Sequence, residues 1–142
     1  MIVLDTTAAA DLNGVTQLRK SLRGVLLDKS IAPKASSDLQ LVVSELGANI
    51  AKHSRPSATR IELEVALLHD VIVLTIVDDG GPFLDFGERL QHAAENEPDP
   101  MAESGRGLGL VNAICAGIAY EAGPPNAMTV RYEIGRSATV TG

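Results

Sequence analysis

Residues 59–81, TRIELEVALLHDVIVLTIVDDGG, decide the reading of the fold. From Thr59 to Leu67 polar and apolar residues alternate. Ile61, Leu63, Val65 and Leu67 share one side, with Arg60, Glu62 and Glu64 on the other. A period of two belongs to a half-buried strand. His69-Asp70 supplies a hairpin turn. Val71 to Val77 is then a continuous apolar run, the pattern of a central strand. Parity carries Asp78 to the side of Ile72, Leu74 and Ile76. A carboxylate on the core-facing side is costly without a partner.

Working outward, the residues before the hairpin read as helical. Met1 to Leu4 is a short apolar edge strand, and Thr6, Thr7 and Asp11 offer helix-start chemistry. Leu12, Val15, Leu18, Leu22 and Val25 form one stripe of an amphipathic helix that reaches about Lys29. Its polar face, with Arg19, Lys20 and Arg23, reads as solvated. Pro33 breaks the pattern, and the capping-box spacing of Ser37 and Gln40 predicts a second helix from there to Ser54. Leu39, Val42, Val43, Leu46 and Ile50 are its buried stripe. Glu45 and Asn49, four apart, project from one face of it.

Beyond the hairpin, residues 81–105 read as a loop with one short helix. From Asp85 to Glu103 there are six acidic residues and one basic one. A loop of this length in a compact domain is usually functional, for example as a lid. Gly105-Arg106-Gly107-Leu108-Gly109 opens a third helix, from Gly107 to about Ala116, with Leu110, Val111 and Ile114 as its stripe. Ile118 to Glu121 is a short strand, Gly123 to Asn126 a turn. Met128, Val130, Tyr132 and Ile134 alternate with Thr129, Arg131 and Glu133 in a last strand. The expected fold is α+β: a two-layer sandwich whose mixed, mainly antiparallel sheet is covered on one face by three helices.

Bulk properties narrow the function. The chain has 142 residues, read as one domain spanning 1–142. Its net charge of −6 argues against nucleic acid and against an anionic membrane surface as partners. The single cysteine, Cys115, cannot form an internal disulfide, and its apolar neighbours suit a small buried thiol. No signal peptide or spanning segment is seen, so a cytoplasmic protein is expected.

Three stretches carry chemistry. A carboxylate and an amide one turn apart, Glu45 and Asn49, suit a proton acceptor beside a Mg²⁺ ligand; the bland alternative is a solvated helix face. Asp78, followed by Gly80 and Gly81, suits the amino group of a base, with room for a flat ring; the alternative is a turn carboxylate bonded to its own backbone. The glycine-rich stretch 105–109 suits phosphates at a helix start; a flexible hinge is the alternative. His53 lies one turn after Asn49, where it either lines the edge of such a pocket or, the favoured reading, simply ends the helix. The stretch 105–109 is neither a Walker A loop nor a dinucleotide fingerprint.

Together these stretches resemble the GHKL (Bergerat-fold) ATPase/kinase superfamily of gyrase, histidine kinases and MutL. Glu45-x-x-x-Asn49 matches its N box, Asp78-Asp79-Gly80 its first glycine box, and Gly105-x-Gly107-Leu108-Gly109 its second. The small size and the phrase VVSELGANIAKH are similar to the stand-alone anti-sigma factor serine/threonine kinases of bacterial partner-switching systems. The resemblance implies ATP and Mg²⁺ as cofactors. It implies Glu45 as general base, Asn49 as the Mg²⁺ ligand, and Asp78 on the adenine amino group with Gly80 beside the ring. Gly105, Gly107, Gly109 and the lid would hold the phosphates. The implied substrate is a STAS-domain anti-sigma factor antagonist, the sequestered partner a sigma factor or other effector, and the assembly a homodimer.

Two positions depart from the superfamily pattern. Pro82 stands where much of it has Gly, and Met128 where many members carry a Thr that supports the adenine carboxylate. Thr129 is a neighbouring candidate to hold a water there. The departures leave open a non-catalytic ATP-binding switch. A histidine-kinase-like catalytic domain is a third reading, weakened by the lack of room for a phosphoacceptor helical hairpin.

Overall fold

The computed structural model describes residues 1–83 and 103–134, the latter with side chains from Leu108 onward. The chain runs β1 (Ile2–Ala9), α1 (Leu12–Asp28), α2 (Pro33–His53), β2 (Arg60–Leu67), β3 (Val71–Asp78), α3 (Glu103–Ile114), β4 (Gly117–Glu121) and β5 (Asn126–Glu133). The strands form one sheet in the order β1-β2-β3-β5-β4, so the apolar β3 is central. Every described pairing is antiparallel, so the parallel component of a mixed sheet is absent among the described residues.

Alternation sorts the two faces of the sheet. Ile61, Leu63 and Val65 of β2, Ile72, Leu74 and Ile76 of β3, and Met128, Val130 and Tyr132 of β5 are buried on the helix side. They meet Leu18, Leu22 and Leu26 of α1, Leu39, Val42, Val43, Leu46 and Ile50 of α2, and Leu108 and Val111 of α3. Truncating one such leucine to Ala typically costs about 2–5 kcal/mol, because lost transfer energy and a residual cavity add.

Several boundaries differ from expectation, each for a local reason. β1 runs on to Ala9, because the β-branched Thr6 and Thr7 suit a strand. Asp11 alone caps α1, its Oδ1 accepting from Gly14 N–H at 2.7 Å. Gly14 is required there, since a Cβ would lie 1.7 Å from Ala9 O. In α1 the stripe has turned slightly: Leu12 is exposed and Leu26 is buried. α2 begins at Pro33 rather than Ser37. Proline at the first helical position has its φ already set and lacks only an N–H that would be unpaired anyway. The expected capping box is not formed; Gln40 Nε2 donates instead to Ser36 Oγ at 3.1 Å. α3 begins at Glu103 and ends at Ile114, and it buries Leu108 and Val111 while Leu110 is exposed.

The topology gathers several termini at one end of the sheet. Asp78 ends β3, Asn126 opens β5 opposite it, and Ile61 near the start of β2 pairs with Asp78 on the other side. α2 leads into β2, so its C-terminus lies at that end. α3 leads into β4, whose first residue pairs with Arg131 near the far end of β5, so the N-terminus of α3 points back toward Asp78.

Candidate functional site

Asp78 is 5% exposed and faces the helices, as parity requires. Its Oδ1 accepts from Gly80 N–H at 2.9 Å and from Asn126 Nδ2 at 3.1 Å. The turn-carboxylate alternative is therefore half correct. Oδ2 accepts from no other described residue. Among the described residues the carboxylate is thus fixed through one oxygen, with no donor on the second. Asn126 is a residue the sequence reading took for part of a turn. It is 1% exposed; its amide also donates to Gly80 O at 2.8 Å, and its Oδ1 accepts from Gly123 N–H at 2.9 Å. The signal was present in the phase of β5: Asn126 shares parity with Met128, Val130 and Tyr132. Thr129 has the opposite parity and pairs with Thr75 away from the helices, so it cannot hold a water against Asp78.

Asp79 is exposed and fully engaged. It accepts from the N–H groups of Thr59 at 2.7 Å and Arg60 at 3.1 Å, and from the Thr59 hydroxyl. The hydroxyl first, then the two amides, hold its carboxyl down at about 2. It ties the end of β3 to the start of β2.

Gly80 and Gly81 have packing reasons for being glycine. A Cβ on Gly80 would lie 2.8 Å from both Ala58 N and Ser54 Cβ, and one on Gly81 would lie 1.9 Å from Arg55 O. Gly81 N–H also donates to Pro56 O at 2.8 Å. The space that Gly80 frees is occupied by the segment after α2, which brings the C-terminal end of that helix against Asp78's turn.

On α2, Glu45 and Asn49 are half-buried, and neither hydrogen-bonds to another described residue. Gly47, two residues from each, faces α1, where a Cβ would stand 3.0 Å from Val15 Cγ2. At about 100° per residue, Glu45 and Asn49 point roughly away from α1. α3 also packs on α2. His53 is exposed as the last residue of α2, followed by the buried Ser54, whose hydroxyl donates to Ile50 O at 2.7 Å.

The glycine-rich stretch lies inside α3 rather than ahead of it: Gly105, Arg106 and Gly107 are in its first turns, Leu108 is buried and Gly109 half-buried. Each helical glycine costs roughly 1 kcal/mol relative to Ala, so this end of α3 is weakly held by propensity. Most of the expected lid, 84–102, lies outside the described residues. Its start is anchored by Tyr120 of β4, a second residue the sequence reading missed. Phe83 N–H donates to the Tyr120 hydroxyl at 2.8 Å, and the two rings lie 6.3 Å apart.

Elsewhere, burial pushes the Cys115 thiol up to about 11, which fits an inert packed thiol. A hollow of about 300 Å³ is lined by Thr7, Arg60, Glu62, Val77, Asp78, Asp79 and Pro125, with neither Glu45 nor Asn49 in its lining. Among the described residues no three His, Cys, Asp or Glu side chains cluster to hold a metal, and no helix is long and apolar enough to cross a membrane. Mg²⁺ does not need such a cage, because it keeps waters and shares ligand phosphates. The Asn49 amide, without a partner among the described residues, suits that role.

No curated protein matches the chain. Among solved structures, a chain of the SiaB–SiaC complex from Pseudomonas aeruginosa shares the fold. It is 17% identical, the match covers 94% of this chain and 91% of that one, and the TM-score is 0.64. Residues 8–133 match the histidine kinase-like ATPase domain, and the chain belongs to that family.

Proposed function

We propose that this chain is an ATP- and Mg²⁺-dependent protein serine/threonine kinase of the partner-switching kind. It would phosphorylate a small STAS-type antagonist protein and sequester a sigma factor or another effector. Residues 1–142 would form one domain, acting as a homodimer, with 81–105 closing over the nucleotide. Membership of an ATPase family and likeness to a chain from a two-protein complex support the reading. The observation that carries it is Asp78: a nearly buried carboxylate with one oxygen committed to the fold and one uncommitted among the described residues.

The nucleotide supplies the phosphoryl group. Asp78 Oδ2 accepts from the adenine amino group, and Asn49 offers a hard oxygen to Mg²⁺. Glu45, one turn away on the same flank of α2, takes the proton of the substrate hydroxyl. Gly105, Gly107 and Gly109 let backbone N–H groups approach phosphates at the N-terminal end of α3, where the helix dipole favours anions, with Arg106 and Leu108 in the same stretch. Gly80, Gly81 and His53 border the base.

Calorimetry with Mg-ATP and Mg-ADP tests the site. Absence of heat on folded protein overturns the reading. With the antagonist that co-purifies in an ATP-dependent pull-down, labelled ATP should yield phosphoserine or phosphothreonine. Glu45→Ala should then slow transfer by about 10²–10⁴-fold while leaving ATP affinity within a few-fold. A non-catalytic switch is favoured by Met128, buried and apolar beside Asp78's face where many superfamily members carry Thr. Tight partner binding without phosphate transfer by the unmodified protein would select it.

A further inference from the structure

We propose that Asn126 is the positioning residue that gives the nucleotide site its preference for a 6-amino purine. The inference rests on the reading of Asp78 as the adenine acceptor. It adds a residue from a strand 48 positions away in sequence, for which no role was expected.

A buried asparagine must place two N–H donors and one carbonyl oxygen. Asn126, 1% exposed, places all three. One N–H goes to Asp78 Oδ1, the other to Gly80 O, and its oxygen receives Gly123 N–H. The side chain therefore spans three backbone segments: the end of β3, the turn after it, and the turn before β5. It leaves neither of its N–H donors free for a ligand.

The consequence for Asp78 is specific. A carboxylate with no fixed partners rotates, and either oxygen can meet solvent or ligand. Here Oδ1 is held by two donors, one from Gly80 and one from Asn126. The Asn126 donor cannot shift to Oδ2 without breaking a second bond, because its amide is also tied to Gly80 O and Gly123 N–H. Oδ2 is thereby presented in one direction as an acceptor only. It accepts a purine 6-amino group and repels a carbonyl oxygen in the same place. With Asn126 lost, Oδ1 keeps only Gly80 N–H, and the orientation is no longer enforced. The superfamily's threonine position is filled by the apolar Met128, so the task falls to the neighbour of the same parity.

The test compares two ligands that differ only at the group in question: Mg-ATP and the Mg complex of purine riboside triphosphate, which lacks the 6-amino group. Affinities are measured by calorimetry for the unmodified protein and for Asn126→Ala and Asn126→Ser, with folding checked by circular dichroism. The unmodified protein should favour ATP by about 10–100-fold, the range for a hydrogen bond to a charged group. Asn126→Ala should bring the two ligands within about 3-fold of each other, chiefly by weakening ATP. Asn126→Ser, which retains one donor, should lie between. If Asn126→Ala is unfolded, Asn126→Ser decides alone: a preference reduced at least 3-fold supports the role. A merely structural asparagine would lower both affinities equally, and an unchanged ratio in the folded variants overturns the proposal while leaving Asp78's role intact. If the unmodified protein binds both ligands alike, or neither, the reading of Asp78 fails first and takes this inference with it.

Discussion

The two faces of the sheet treat adjacent aspartates in opposite ways. On the open face, Asp79 is exposed, yet its carboxylate is engaged by Thr59 and Arg60. On the helix face, Asp78 is 5% exposed, yet only one of its oxygens is engaged by described residues. Exposure alone would pick the wrong residue as the one with capacity for a ligand. A spare acceptor matters more where the local dielectric is low, because each interaction made there is stronger. α2 repeats the contrast. Its flank toward α1 is packed so closely that Gly47 leaves no slack against Val15, while Glu45 and Asn49 on the other flank have no described partner.

The sharpest way to break the contrast is to neutralise each aspartate in turn. Asp78→Asn keeps shape and one acceptor but faces the purine amino group with an amide N–H₂ or a weaker oxygen. ATP affinity should fall by about 10–100-fold, with thermal stability little changed. Asp79→Asn should do the reverse: a lower melting temperature, with ATP affinity within 2-fold. Calorimetry and thermal melts on both variants check this. Equal losses of affinity would mean that both carboxylates serve the ligand.

The turn that carries both aspartates can be strained directly. Neither Gly80 nor Gly81 is in the left-handed region, so the constraint is space rather than backbone conformation. Gly81→Ala sets a methyl group against Arg55 O and should destabilise by about 1–3 kcal/mol in urea titrations, as overpacking does. Gly80→Ala should cost less, since its nearest contacts are at 2.8 Å rather than 1.9 Å. A Gly81→Ala protein as stable as the original would show that the 54–58 segment yields freely, and that the turn is not clamped.

Much of this geometry was legible because it depends on period. The alternation of 60–67 and 71–78 set both strands and the inward side of Asp78, and the stripe from Leu39 to Ile50 set the buried side of α2. What escaped depends on register between segments far apart. Asn126 follows Gly-Pro-Pro and reads as a turn residue until β5 is laid against β3 and Asn126 falls opposite Asp78. Tyr120 reaches Phe83 for the same kind of reason. Pro33 was misread because proline both stops one helix and starts another, and local sequence does not say which. The packing of Gly80 and Gly81 on residues 54–58 had no local signature either; their sequence context suggests room for a ring, while the space where their own Cβ atoms would stand is filled by that segment.

The smallest expected effect isolates the open face by acid. Hydrogen bonds hold Asp79 at about 2, below its ordinary 3.8. A depressed carboxyl favours the folded state while it is ionised there, so its contribution is whole above about pH 4. Between the two values the unfolded chain binds more protons than the folded one, and stability falls as pH falls. The contribution is gone below about pH 2. Asp79→Asn has no such titration. The gap in urea midpoint between the original protein and Asp79→Asn should therefore be constant from about pH 7 to about pH 5 and close progressively toward about pH 2. Because Asp79 is exposed, the closure should be modest and should shrink with added salt. A gap that stays constant down to about pH 2 would assign the loss in Asp79→Asn to shape alone, and the contrast between the two faces would then rest on Asp78.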